Sequence, residues 1–306
     1  VYARDIGISF SQIKEKTFLE GSVIAGDMRI RFARASDAEG IRALCRAAEG
    51  EDDYIIHIFE EWFRPRYTVV AEAGGKIIGM VKGKPLIDGS IWLGGARVHP
   101  DYRGRGIAGE LTRYRVDAAA RRGVKRFAAL ISRENKASIR AIRKAGFDIG
   151  LVVAILVTGQ RGEDEDTKIP LSKISKSLTR EEITREDIYH SGIIKKMNRR
   201  IGLFYEFPVL NETTASLISD RGRVFSFGGR GKFILTPNTS RTWMTVQIIR
   251  DHPSLPRRFA QLILANSPGA GLFLPRDQTL ISRYRRAGFT YATWASTANV
   301  MELLLE

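Results

Sequence analysis

The stretch RVHPDYRGRGIAGELTRY, Arg97 to Tyr114, sets Gly104 and Gly106 among arginines and then runs into Ile107, Leu111, Tyr114 and Ala118 at helical spacing. A helix start exposes unpaired N–H groups and the positive end of the peptide dipoles, so it attracts anions. Glycines there allow the main chain to approach an anion closely and to take dihedrals that other residues avoid. Arg103 and Arg105 add formal charge. The stretch reads as a phosphate cradle between a strand and a helix, and it places the chain among α/β proteins.

The spacing is not that of a nucleotide-hydrolase P-loop, which needs Gly-x-x-x-x-Gly-Lys-Ser/Thr. Gly104, Gly106 and Gly109 do match Gly-x-Gly-x-x-Gly. A dinucleotide site, however, should follow the first strand of its unit and be trailed by an acidic residue closing the next strand. Several strands precede this loop, and the next one, RFAALI, leads to Ser132 and Arg133 before Glu134. Context therefore disfavours the dinucleotide reading.

Outward from the loop, MRIRFARA from Met28 alternates like a strand, and SDAEGIRALCRAA begins a helix with Ser36 as the expected N-cap. RYTVVAEAGGKIIGMVKGKPL predicts two strands joined at Gly74-Gly75. SIWLGGARVHP is another strand, and Gly94-Gly95 inside it predicts a bulge or a close backbone approach. After RFAALI come the helix NKASIRAIRKA, ending at Gly146, and the strand LVVAILVT. This gives an appended arm at 1–27, an α/β domain at 28–158 and a polar linker at 159–184.

A second unit is expected at 185–306. IRAIRKAGF, Ile139 to Phe147, matches ISRYRRAGF, Ile281 to Phe289, and TWMTVQIIRDHP ends in His-Pro as SIWLGGARVHP does. The helix LPRRFAQLILA and the strand GAGLFLP lie between. We read this half as a diverged copy of the first. DHPSLPRRFAQ has no glycine, so the copy lacks a cradle. FSFGGRGKF, Phe225 to Phe233, could touch RNA but reads better as a glycine-rich hairpin.

The 306 residues carry a net charge of +15, which suits an anionic partner or simply solvated basic helix faces. No apolar run is long enough to suggest a membrane span, and VYARDIGISF does not resemble a secretory signal. Cys45 is the single cysteine, so neither a disulfide framework within the chain nor a cysteine-based metal site is expected. A cytoplasmic protein without metal is the simplest expectation.

VHPDYRGRGIA resembles the acetyl-coenzyme A signature of the GNAT superfamily of N-acetyltransferases, Arg/Gln-x-x-Gly-x-Gly/Ala, here Arg103, Gly106 and Ala108. NKASIRAIRKAGF, Asn135 to Phe147, resembles the family's later motif, and the likeness covers about Met28 to Thr158. The resemblance implies an α/β fold with a mixed, splayed central sheet and flanking helices, followed here by a second, degenerate GNAT-like domain. It implies acetyl-coenzyme A as cosubstrate, with backbone near Arg97 and Val98 pairing with its pantetheine arm. The pyrophosphate would lie on Arg103, Gly104, Arg105, Gly106, Ile107 and Ala108, with Asn135 reaching the cofactor from across the gap. It further implies direct attack by a primary amine, on a small molecule or a protein N-terminus.

Two usual proton-handling residues are missing. Ile142 stands where many members carry a tyrosine, and WLGGARV lacks their glutamate. The replacement candidates lie in EGEDDYIIHIFEEWF, Glu49 to Phe63: Asp53 and Glu51 as carboxylates beside Asp52, then Tyr54, with His57 weaker. The competing reading is a basic module that binds coenzyme A without efficient turnover and engages nucleic acid or a protein. Homodimerisation stays open, through the second domain or otherwise.

Overall fold

The computed structural model describes residues 23–24, 28–158, 178–220, 223–237, 243–266 and 269–306. The expected arm, apart from Val23–Ile24, and residues 159–177 of the expected linker lie outside the described residues. Contacts divide the chain into one unit of Val1–Ala129, Lys136–Asp148 and Glu302–Glu306, and another of Leu130–Asn135 and Ile149–Met301.

In the first unit, strands β1 (Val23–Ile24), β2 (Met28–Phe32), β3 (Thr68–Ala73), β4 (Lys76–Pro85), β5 (Ile91–Val98) and the start of β6 (Arg126–Ser132) follow one another in space. Pairing is antiparallel up to β5, and β5 with β6 is parallel. Gly74 and Gly75 join β3 to β4 with φ of 52° and 74°, the positive values that a tight hairpin turn requires. Helices α1 (Ala38–Glu49), α2 (Tyr54–His57), α3 (Phe59–Trp62), α4 (Ile107–Ala120) and α5 (Lys136–Lys144) complete the unit.

Two-residue alternation along β3 and β4 sends side chains to opposite faces. Val70 and Met80 pack with Ile41, Leu44, Cys45, Ile55 and Phe59 from α1 to α3. Val69, Ala71, Ile78 and Val81 pack with Ile107 and Leu111 of α4 on the other face. Each fully buried residue of this size contributes about 2 kcal/mol. Farther along α4 Arg115 is buried, while Tyr114 and Ala118 are only half-buried. Gly83 makes the room: a β-carbon there would lie 2.4 Å from the Arg115 Nε, and Arg115 donates to the Gly83 carbonyl at 2.7 Å. Burial without a carboxylate lowers its guanidinium to about 10.

The first helix starts differently from the expectation. Ser36 falls within a 3-10 turn, Ala35–Asp37, and Asp37 stands at the N-cap of α1. The reason is electrostatic. Arg31 clasps both Asp37 carboxylate oxygens at 2.6 and 2.9 Å, and the Arg34 N–H donates to the same group at 2.6 Å.

The second unit contains β7 (Asp148–Thr158, from Ile149 onward), β8 (Thr179–Arg180), α6 (Arg185–His190), α7 (Gly192–Lys196), α8 (Glu212–Ser219), β9 (Val224–Phe227) and β10 (Arg230–Pro237). Then come β11 (Met244–Arg250), α9 (Leu255–Asn266), β12 (Ala270–Pro275), α10 (Gln278–Arg286), β13 (Thr290–Tyr291) and β14 (Thr297–Leu304, to Met301 in this unit). Its strands run β14, β7, β12, β11, β10, β9, β8 in space, and β11 with β12 is parallel. LVVAILVT belongs with this unit and not with the first as expected, because β7 pairs with β12 from Thr158↔Ala270 to Val153↔Pro275. Residues 302–306 group with the first unit: Arg126 donates to Glu302, and the Leu305 N–H to the Lys125 carbonyl at 2.8 Å. FSFGGRGKF is the hairpin expected, turning at Gly228 and Gly229, with Phe227 and Phe233 buried against Phe259.

Candidate active site

Two local facts shape the edge of β5. Its parallel pairing with β6 consists of Ile91↔Phe127 and Trp92↔Ala128, and no further pair occurs among the described residues. On its other side the register with β4 shifts: Lys82 faces Gly94 while Met80 faces Arg97, so Gly95 and Ala96 together oppose Val81. Gly95 sits at φ 64°, and a β-carbon there would lie 2.4 Å from Trp62 Cζ2. Bulge and close approach therefore coincide at one glycine.

Beyond β5 the chain makes a 3-10 turn, Pro100–Tyr102, and the Arg103 N–H donates to the Pro100 carbonyl at 3.1 Å. The next five amides, Gly104 to Ala108, have no protein partner among the described residues; pairing resumes where Gly109 donates to the Gly106 carbonyl. Gly104 and Gly106 have φ of 80° and 81°, and a β-carbon at either would meet nothing within 4 Å. The loop is therefore a row of open donors at the head of α4. Arg103 and Arg105 are engaged with neighbouring backbone. Arg103 donates to the carbonyls of Val98 (3.3 Å) and Ala48 (2.7 Å), and Arg105 donates to Asp101 (3.0 Å) with its guanidinium over the Tyr102 ring.

The profile of the acetyltransferase (GNAT) family matches residues 37–147, which include the bulged strand and this loop. Residues 37–147 are a GNAT acetyltransferase domain. Among solved structures, a GCN5-related N-acetyltransferase from Sphaerobacter thermophilus aligns at TM-score 0.58 and 12% identity, covering 92% of this chain and 97% of its own. Provisionally assigned acetyltransferases from Pyrococcus horikoshii (TM-score 0.56, 14% identity, 95% and 94% covered) and Thermoplasma acidophilum (0.55, 14%, 90% and 92%) are similar. These likenesses are of fold, and they extend over nearly the whole chain. Curated proteins include no sequence match.

In the GNAT domain, the loop from Glu49 to Phe63 lies against β5. Asp53 is buried and caps α2, accepting from the Ile55 N–H at 3.0 Å. Its two oxygens also accept from Arg97 Nε and Nη2 at 2.8 Å each. Although burial alone would raise it, these donors hold the Asp53 carboxyl below the usual carboxylate range. A carboxylate so engaged is a poor proton acceptor, which leaves Asp53 as the anchor of Arg97.

Tyr54 stands beside this pair, with Arg97 5.5 Å from its ring centroid. The side chain is 47% exposed overall, yet its hydroxyl is desolvated by surrounding protein and raised above the ordinary phenol range. It stays protonated at neutral pH. Glu51 is exposed and ion-paired with Arg46 at 3.1 Å. His57 ends α2 at the surface. Two residues not singled out by sequence reasoning also border the bulge: Lys82 donates to the Trp62 carbonyl and lies 4.7 Å from its ring centroid. Nothing in local sequence marks them, since the contact spans 20 residues.

Asn135 is exposed, with its N–H donating to the Ser132 carbonyl at 3.0 Å, and it groups with the second unit. Ile142 is buried in α5. In the second unit Tyr284 is fully buried, its hydroxyl 3.3 Å from Asp251, and burial raises it well above the usual range. At DHPSLPRRFAQ the helix start uses its own donors: the Leu255 N–H goes to the His252 carbonyl, and the Ser254 N–H to His252 Nδ1. Among the described residues no cluster of three or more His, Cys, Asp or Glu could hold a metal, and no helix is long and apolar enough to cross a membrane.

Proposed function

We propose that the chain transfers an acetyl group from acetyl-coenzyme A to a primary amine, on a small molecule or an N-terminus. The observation that carries this reading is the row of unpartnered amides from Gly104 to Ala108, following a strand whose pairing with β6 ends at Trp92. The fit is physical: open donors, positive φ at two glycines, no side chain in the approach, and the positive end of a 14-residue helix behind them. Gly104 to Ala108 would hold a diphosphate, and the free edge near Arg97 and Val98 would pair with an amide-bearing arm.

The bound cosubstrate supplies an activated thioester. The chain's part is to orient, to donate and to exclude water. The amine nitrogen bonds to the carbonyl carbon as the carbon–sulfur bond breaks; the amine loses a proton to solvent, and the departing sulfur gains one. Tyr54, kept protonated and held beside the Asp53–Arg97 pair, donates that proton. Main-chain N–H groups at the Gly95–Ala96 bulge face the developing oxyanion. Glu51, at the exposed rim, attracts the cationic acceptor. The second unit is read as a diverged copy that holds no coenzyme A, since its helix start is already occupied.

The test is calorimetry with acetyl-coenzyme A, followed by thiol release across a panel of amines and amino-terminal peptides. Binding at the Gly104–Ala108 loop with amine-dependent thiol release is expected. Binding with no release from any amine would favour a coenzyme A-binding module without turnover, which the isoleucine at 142 and the basic charge also suit.

A further inference from the structure

A cavity of about 470 Å³ lies wholly in the second unit, beside the end of β11 and the start of α10. That volume suits a small molecule. Three ion pairs form its polar wall, and each is built the same way, with the carboxylate set deeper than its cation. Arg250 meets Asp187 at 2.5 Å, with side-chain exposures of 54% and 0%. Arg283 meets Asp251 at 2.5 Å (32% and 16%), and Lys196 meets Asp277 (58% and 22%). Asp187 is shared with the buried Lys232 at 2.5 Å, and Lys232 also lies 3.9 Å from Glu181.

A guanidinium has five N–H donors, and the contacts of Arg250 and Arg283 with their carboxylates each use one nitrogen. Both arginines line the cavity, and their carboxylate contacts leave other guanidinium N–H groups without a partner among the described residues. Glu186 is an exposed carboxylate on the same wall. We propose that this cavity is a binding site for a small oxyanion, a carboxylate or a phosphate monoester, separate from the diphosphate cradle of the GNAT domain. Planar or tetrahedral oxyanions match two arginine forks and a lysine.

The experiment uses the full chain carrying Gly106→Asp, which silences the cradle, so this site and the acetyl-coenzyme A reading fail separately. Inorganic phosphate and succinate are titrated calorimetrically at fixed ionic strength, with sodium chloride as the control. Saturable binding of either is expected, and which one binds more tightly identifies the source chemistry. Arg250→Gln with Arg283→Gln should weaken it at least tenfold, whereas Glu186→Gln, at an exposed position, should tighten it several-fold. In the chain with both arginines, the Nε–H NMR signals of Arg250 and Arg283 should move with the bound anion, a readout that needs no folded double variant. Unmoved arginine signals, equal affinity in the double variant, or no saturable binding of either anion would overturn the proposal.

Discussion

Arg97 grips Asp53 across 44 residues of sequence, donating to both carboxylate oxygens at 2.8 Å, with the Asp53 side chain completely buried and that of Arg97 only 13% exposed. A buried pair with this geometry ties the Glu49–Phe63 loop to β5. Removing one partner strands the other charge in the interior.

Asp53→Asn should therefore cost about 3 kcal/mol of stability at neutral pH. The pH dependence has a defined sign. A carboxyl lowered in the folded state stabilises above its unfolded value near 4 and loses that contribution as pH falls through its depressed native value. Urea melts at a series of pH values should show the gap between the two proteins closing below about pH 4. A gap that stays constant into strong acid would remove the ion pair as its cause.

Gly106→Ala should weaken acetyl-coenzyme A binding by forcing a side chain into φ 81°, a strain of about 1–2 kcal/mol. Gly106→Asp should abolish binding, because a carboxylate would oppose the diphosphate as well. Calorimetry compares the three proteins, and equal affinity of Gly106→Asp would place the cofactor elsewhere.

Gly95→Ala should destabilise the GNAT domain by about 1–3 kcal/mol, since the new methyl would meet the Trp62 ring while the backbone keeps positive φ. Pairing it with Trp62→Leu should recover part of that loss. Thermal melts of both single variants and the double variant measure the coupling, and strict additivity would contradict the contact.

Tyr54→Phe should lower the rate of thiol release by about 100-fold with little change in acetyl-coenzyme A affinity, as for loss of a general acid. Because the hydroxyl is raised above the phenol range, the wild-type rate should not fall on the alkaline side until beyond pH of about 10. An unchanged rate in Tyr54→Phe would take the proton donor away from this residue.

Cys45 is buried, and burial beside Asp53 pushes its thiol up to about 12. It should resist disulfide-exchange reagents in the folded chain and react once the protein is unfolded in urea. Rapid labelling of the native protein would mean that α1 opens readily from β4.

Much of the first unit is legible in local sequence because its signals act over a few residues. Gly74-Gly75 dictates a hairpin, Gly104 and Gly106 dictate a loop with open amides, and alternation along β3 and β4 assigns opposite faces. The start of α1 was less legible. Ser36 has the right chemistry for a cap, but Arg31 recruits Asp37 instead, and that choice depends on the path of β2.

By itself the sequence determined the order of strands and helices, the hairpins, the bulged strand and the glycine loop, since dihedral preference and short-period burial are properties of neighbouring residues. Only the tertiary structure decided that Asp53 is spent on Arg97 and that the last residues return to Arg126. It alone also set three cations over deeper carboxylates around one cavity. Those are meetings of charges far apart in the chain, and their energies depend on distance and burial, which exist only once the chain has folded.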